Sequence, residues 1–274
     1  MVALRDPVAL PTPGTAARGV PYLWLVSLLG VAIFAALWVR DWAGFVPRLF
    51  DSPMITALDY HIVIDATKRF LDGGTFYDPR QLSAPYGWDG TIQGWWPILY
   101  PPQSIALFAP FTVLPAPLWW AIPLITTGAI VAWHRPQPVA WPVLAACVWW
   151  PITTSKIVTG NPVMWTVAFV ALGTIWRWPA VLALFKPSLF PFALIGWRDR
   201  RWWIVGALGA LPFCWVLPDY LHAMSLFTSG ISYSLAEVPL LLIPIVAWVA
   251  STRRPPWGHR TGTASPDERE GGRP

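Results

Sequence analysis

From Gly90 to Trp197 the chain contains no aspartate and no glutamate. The cations in that stretch are Arg135, Lys156, Arg177 and Lys186, and the rest is long apolar runs punctuated by proline, glycine and tryptophan. A water-facing surface cannot be built from such material. A bilayer can accept it, because apolar helices satisfy their own backbone groups and need no charged face. The acids lie elsewhere. Residues 40 to 89 hold seven of the fourteen: Asp41, Asp51, Asp59, Asp65, Asp72, Asp78 and Asp89. An acid-rich segment behind a first apolar run reads as a large loop outside the membrane, where chemistry is to be sought.

Composition agrees. Charged residues make up 12% of the chain, against about 25% for a soluble domain. The 21 Trp fall partly in pairs near the ends of apolar runs, as at Trp95-Trp96, Trp119-Trp120, Trp149-Trp150 and Trp202-Trp203. That placement suits membrane-interface anchoring or core packing. Cys147 and Cys214 sit inside apolar runs and suggest neither a disulfide framework nor a metal site. The net charge of +5 comes from arginines clustered at run ends, which argues for membrane orientation and against nucleic-acid binding.

The reading is an all-α, polytopic transmembrane helical bundle of about eight spans. Residues 1–20 form a cytoplasmic tail, 21–250 the membrane domain with an external loop at 40–97, and 251–274 a disordered cytoplasmic tail. The spans are expected near 21–39, 101–115, 117–133, 138–151, 162–176, 179–196, 202–217 and 234–250. Prolines within them (Pro110, Pro123, Pro187, Pro191, Pro239, Pro244) predict kinked or half-length helices. Eight spans place Arg198-Asp199-Arg200-Arg201, Arg253-Arg254 and the N-terminus on one side, which the positive-inside rule makes cytoplasmic. The loop at 40–97 and the segment 219–234 are then outside. The Trp-, Pro- and Arg-rich, Lys-poor composition suggests a bacterial cell membrane.

Within the loop, Leu58 to Leu71 reads as an amphipathic helix at the membrane surface. Leu58, Ile62, Ala66 and Phe70 form its apolar face, and Gly73-Gly74 permits a left-handed C-cap. Asp59 in its first turn has two readings: a helix N-cap, or a carboxylate beside the membrane that can take a proton. Asp65 is a solvated charge or a second acid. Asp78 and Asp89 are turn residues. His222 lies in the last external segment, as an exposed loop histidine or a contributor to a sugar site. Lys186 lies mid-span before Pro187. A lipid phosphate, a loop acid or an interface reached by snorkelling could each satisfy it. Lys156 falls in a break between spans that this topology puts inside. Glu237, the acid inside a predicted span, pairs with a lysine or faces a cavity. No Asp-x-Asp pair suggests a metal-bound nucleotide sugar, so no metal or other cofactor is expected.

Several elements in order resemble a known family. They are Asp59-Tyr60 with Ala66, then Leu71-x-Gly73-Gly74-x-x-Tyr77-Asp78, then Tyr100-Pro101-Pro102 after a Trp-rich stretch. Gly160-Asn161 and Lys186-Pro187 follow. Together, over roughly residues 20 to 200, they resemble the GT-C membrane glycosyltransferases, specifically the family 87 polyprenol-phosphate-mannose-dependent mannosyltransferases. Members are usually longer and carry more spans. The resemblance implies a cell-envelope enzyme that transfers a sugar, mannose first, from a polyprenyl-phosphate carrier to a hydroxyl of a glycan, glycolipid or protein on the outer face, with inversion. It implies Asp59 as the base. The expected substrate-binding set is Lys186, Lys156, Asn161, Tyr100, Asp65 and His222. The alternative is a non-catalytic, shortened relative that binds lipid-linked sugar or supports a partner.

Overall fold

The computed structural model describes residues 20–51, 56–86, 96–228 and 235–253. The two tails lie almost wholly outside the described residues, as do Asp89, Trp95 and most of the Trp-rich stretch before Tyr100, and residues 229–234. The described residues are helical, joined by turns, with two isolated β-bridges and no strand among them. The main helices are α1 (Val20–Asp51), α2 (Leu58–Leu71), α3 (Pro117–His134), α4 (Trp141–Trp149) and α5 (Pro151–Thr159). They continue with α6 (Val163–Trp176), α7 (Arg200–Ala210), α8 (Leu217–Leu226) and α9 (Val238–Val249). Tight 3-10 and one-turn helices fill 102–112 and 178–196, where prolines remove backbone donors and forbid a long regular helix.

The molecule has two chemically distinct ends. At one, the C-termini of α3, α6 and α9 converge. His134 contacts Thr174 (2.7 Å) and Ser251 (3.3 Å), and Pro136 bridges to Ser251. Arg135, Arg177 and Arg253 therefore gather there. Arg198, Arg200 and Arg201 join them, because Gly196 is pressed against Arg177: a Cβ on Gly196 would stand 2.2 Å from the Arg177 carbonyl oxygen. At the other end, Trp149 donates to Asp41 (3.0 Å), Trp150 to the Ala236 carbonyl (2.9 Å) and Trp119 to the Gly160 carbonyl (2.7 Å). Trp119 and Trp150 thus clip breaks between helices by donating their indole N–H to backbone carbonyls, and Trp149 ties α4 to α1. Helix α3, 18 residues long, spans about 27 Å between the ends, close to the ~30 Å of a bilayer core.

Two stretches expected as spans do not run between these ends. Tyr100 bonds Asn161 and Trp119 bonds Gly160, so the chain from 100 to 119 returns to where it began; helix 102–112 is bent 116° from α3. The stretch 178–196 is a re-entrant hairpin. It leaves Arg177, runs up beside α6 as a 3-10 helix, turns at Lys186-Pro187 and comes back to Arg177. Pro179, Pro187 and Pro191 explain why it cannot be one long helix, and it packs against α6 and α7. The runs between the two ends are α1, α3, α4, α6, α7 with α8, and α9. Of these, Tyr22–Ala43 and Arg200–Leu226 are single helices long and apolar enough to cross a membrane, or four crossings if each bent pair counts as one. Eight alternating spans would put Arg135 and Arg253 on opposite sides; their shared anchor at His134 and Ser251 puts them together.

Helix α2 has its expected bounds, and Gly73 (φ +88°) ends it. Its buried face differs from expectation. Tyr60, Val63, Ile64, Ala66 and Thr67 are buried, whereas Leu58, Ile62 and Phe70 are only partly so. The inward face is turned by about a third of a revolution, because α2 is roofed by Trp119, Trp165 and Phe108 in one aromatic core. Thr67 tolerates burial by donating to the Val63 carbonyl (2.7 Å). Helix α6 is buried on almost every side and forms the axis of the bundle. Helix α1 does the opposite, exposing Tyr22, Leu23, Leu25, Leu28 and Leu29. In a membrane protein that surface meets lipid. Past Arg40 the helix continues to Asp51 instead of stopping near 39, and Arg40 and Asp41 pair at 2.9 Å on its exposed face.

Candidate functional site

The acidic end of α6 carries the site. The chain must turn sharply between α5 and α6, whose axes differ by 109°. Gly160 makes the turn at φ +69°. A side chain there would meet the Trp120 ring at 2.6 Å and Tyr60 at 2.9 Å. The next residue, Asn161, is buried and uses its amide on three partners. Its oxygen accepts from the Val163 backbone N–H (2.9 Å), closing the first turn of α6, and from the Tyr100 hydroxyl (3.3 Å). Its nitrogen donates to Asp59 Oδ2 at 2.8 Å.

Asp59 is not a helix cap. Ala57 occupies the N-cap in a left-handed conformation and makes no side-chain capping bond. The Asp59 carboxylate points across to α5, where Thr159 donates to Oδ2 at 2.5 Å beside the Asn161 bond. Both bonds fall on one oxygen. They fix the carboxylate and leave Oδ1 outside that pair.

Against this stands a buried group of charges. Lys156, on helix α5, lies with its side chain 5% exposed. Lys186, at the tip of the re-entrant hairpin, is 12% exposed. Both reach Glu237, 0% exposed at the N-cap of α9, one to each oxygen: Lys156 Nζ–Oε1 3.4 Å and Lys186 Nζ–Oε2 2.5 Å. The second contact is the shorter of the two ion pairs. Helix α5 and its turn join the two groups: Thr159 and Asn161 hold Asp59, and Lys156 on the same helix meets Glu237. Asp59, Tyr100, Asn161, Lys156 and Lys186 therefore belong to one constellation, and with Glu237 it is drawn from five separate stretches of chain.

Compared with known proteins, the sequence matches no family model, no curated protein and no solved structure.

Two residues of the expected set lie elsewhere. His222 is exposed on α8 and bonds the Leu82 carbonyl (3.1 Å), which ties α8 to the loop after α2. Asp65 is exposed on the far face of α2. It lines a surface pocket of about 350 Å³ with His61, Arg69, Trp96 and the Asp78–Arg80 ion pair. Hydrogen bonding from Arg80 holds the Asp78 carboxyl below the usual carboxylate range. Thr159 and the double pairing of Glu237 were not singled out from sequence. The signal for Glu237 was present, as a carboxylate at the start of an apolar run that otherwise tolerates none. Thr159 has only its place before Gly160-Asn161 to distinguish it.

An apolar cavity of about 510 Å³ opens between α1, α3, α4, α6 and α9. Thr153 and Ile157, on the same helix as Lys156, line it, as does Leu240, one turn after Glu237. A hydrophobic slot thus adjoins the helix turns that carry the buried charges.

Proposed function

We propose that this chain is a membrane-embedded glycosyltransferase of the GT-C type. It transfers a sugar, mannose in the first instance, from a polyprenyl-phosphate carrier to a hydroxyl acceptor at the outer face, with inversion. What carries the reading is the carboxylate of Asp59, held by Thr159 and Asn161, with Thr159 on the same helix as the buried Lys156. The apolar cavity beside Lys156 adds to it, since a polyprenyl chain needs such a slot while its phosphate needs cations.

The acceptor hydroxyl attacks the anomeric carbon and forms the new glycosidic bond. Its proton passes to Asp59 Oδ1, and the bond from the anomeric carbon to the phosphate oxygen breaks on the opposite face of the sugar. The leaving polyprenyl phosphate gains negative charge, which Lys186 and Lys156 stabilise where water is scarce. Tyr100 and Asn161 keep the base in place. In this reading the six runs between the two ends cross the bilayer and the arginine end is cytoplasmic. The N- and C-terminal sides then match, as eight spans also required. Lys156 comes to the outer side, where an external reaction needs it.

The test is transfer of labelled mannose from polyprenyl-phosphate-mannose in membranes containing the protein, beside Asp59→Asn. Transfer by the wild type that disappears in the variant supports both donor class and base. Equal transfer by both removes Asp59 from the mechanism, and none by the folded wild type overturns the reading.

A further inference from the structure

Two buried ammonium groups share a single carboxylate at the start of α9. Asp59 is held apart from this group, since both bonds at its Oδ2 belong to Thr159 and Asn161. Glu237 also stands at the N-terminus of a 12-residue helix, whose dipole adds to the attraction for an anion at that point. Lys156, Lys186 and the first turn of α9 therefore make a seat for an anion. In this structure the anion in it is a side chain of the protein itself.

We propose that Glu237 is an internal stand-in for phosphate. Resting on the reading of the two lysines as a phosphate site, it keeps them paired while the site is empty and yields them to the phosphate of a lipid carrier. The geometry suits an exchange. The carboxylate gives one oxygen to each lysine, and a phosphate group can do the same with two of its oxygens while adding charge. The apolar cavity lined by Thr153, Ile157 and Leu240 flanks both α5 and α9, so a chain lying in it brings its head group to these turns. A carboxylate in this place also sets selectivity, because a neutral or singly weak ligand does not repay the loss of two ion pairs. An anion that bridges both lysines does.

The inference predicts a gain on removing a buried charge partner. Purified protein in detergent would be titrated with geranylgeranyl phosphate, with inorganic phosphate and geranylgeraniol as separate arms. In Glu237→Gln the internal competitor is gone, and geranylgeranyl phosphate should bind at least about tenfold more tightly than to wild type. Lys186→Gln/Glu237→Gln should lose that gain. Geranylgeraniol should bind both wild type and Glu237→Gln equally. Equal gains for inorganic phosphate would assign the seat to free phosphate and overturn the lipid carrier. Unchanged or weaker binding of geranylgeranyl phosphate by folded Glu237→Gln would make Glu237 a structural support and overturn the stand-in. Should Glu237→Gln fail to fold, Glu237→Asp decides: it keeps the charge on a shorter arm, and tighter binding supports the inference while equal or weaker binding sinks it. Binding is read without turnover, so its outcome is separable from that of the transfer assay. Protein that shows the gain yet transfers no mannose keeps the stand-in and loses the transferase.

Discussion

Asp59, Asn161 and Gly160 carry the site at the residue scale, each for a different physical reason. Asp59 supplies a fixed carboxylate, and Asp59→Asn keeps the size of the side chain without its basicity. It should lower transfer by roughly a hundredfold or more with an unchanged melting temperature in detergent. Asn161 joins the base to the start of α6. Asn161→Ala should cost about 1 kcal/mol of stability by loss of the helix-start bond and should also lower the transfer rate; Asn161→Ser, which can still close that turn, should recover stability more than rate. Gly160 is required by its backbone and by the rings over it. Gly160→Ala should destabilise by about 1–3 kcal/mol, read as a lower melting temperature. Asp59 as an acid of interest was legible in the sequence, since it opens a helix in an acid-rich loop. Its partners were not, because Thr159 and Asn161 lie a hundred residues away and only the fold brings them near.

Among the elements, proline decided where helices stop and tertiary packing decided which way they face. The bounds of α2 were readable from Leu58 to Gly73 because periodicity and the C-cap are local signals. Its buried face was not, because an apolar stripe of Leu58, Ile62 and Phe70 looks inward only until Tyr60 finds Trp119 and Trp120. The hairpin at 178–196 shows the same division. Its prolines were visible, yet a broken span and a re-entrant hairpin have the same composition, and only the contact of Gly196 with Arg177 separates them. The hairpin delivers Lys186 to Glu237. Lys186→Gln leaves Lys156 and Glu237 as a balanced pair, so it should lower stability by less than the 3–5 kcal/mol typical of breaking a buried pair. Comparing its thermal midpoint with that of Glu237→Gln, expected to be lower, checks this.

For the whole molecule the organising feature is polarity: Arg135, Arg177, Arg198 and Arg253 gather at one end, Asp41, Asp59 and Glu237 at the other, and apolar helices lie between. Both the eight-span and the six-crossing arrangement put Arg198 and Arg253 inside and Asp65 outside, so those positions do not tell them apart. Arg135 and Arg177 do. In a Cys147→Ala/Cys214→Ala background, Arg135→Cys should be labelled by an impermeant maleimide from the same side as Arg198→Cys and opposite to Asp65→Cys. Labelling of Arg135→Cys together with Asp65→Cys would restore eight alternating spans.

The sequence by itself determined the class of the protein, because the absence of acids over Gly90–Trp197 and the scarcity of charge suit an apolar solvent for most of the chain. It determined the bounds of helices such as α2 and marked Asp59, Lys156 and Lys186 as groups in need of an explanation. Only the tertiary structure decided the connectivity between the two ends and the gathering of those groups. Hydropathy along a chain measures how long a segment is and what it prefers, and these are local quantities. Whether a segment crosses or returns, and which carboxylate a buried ammonium meets, depends on contacts between distant stretches that sequence order does not contain.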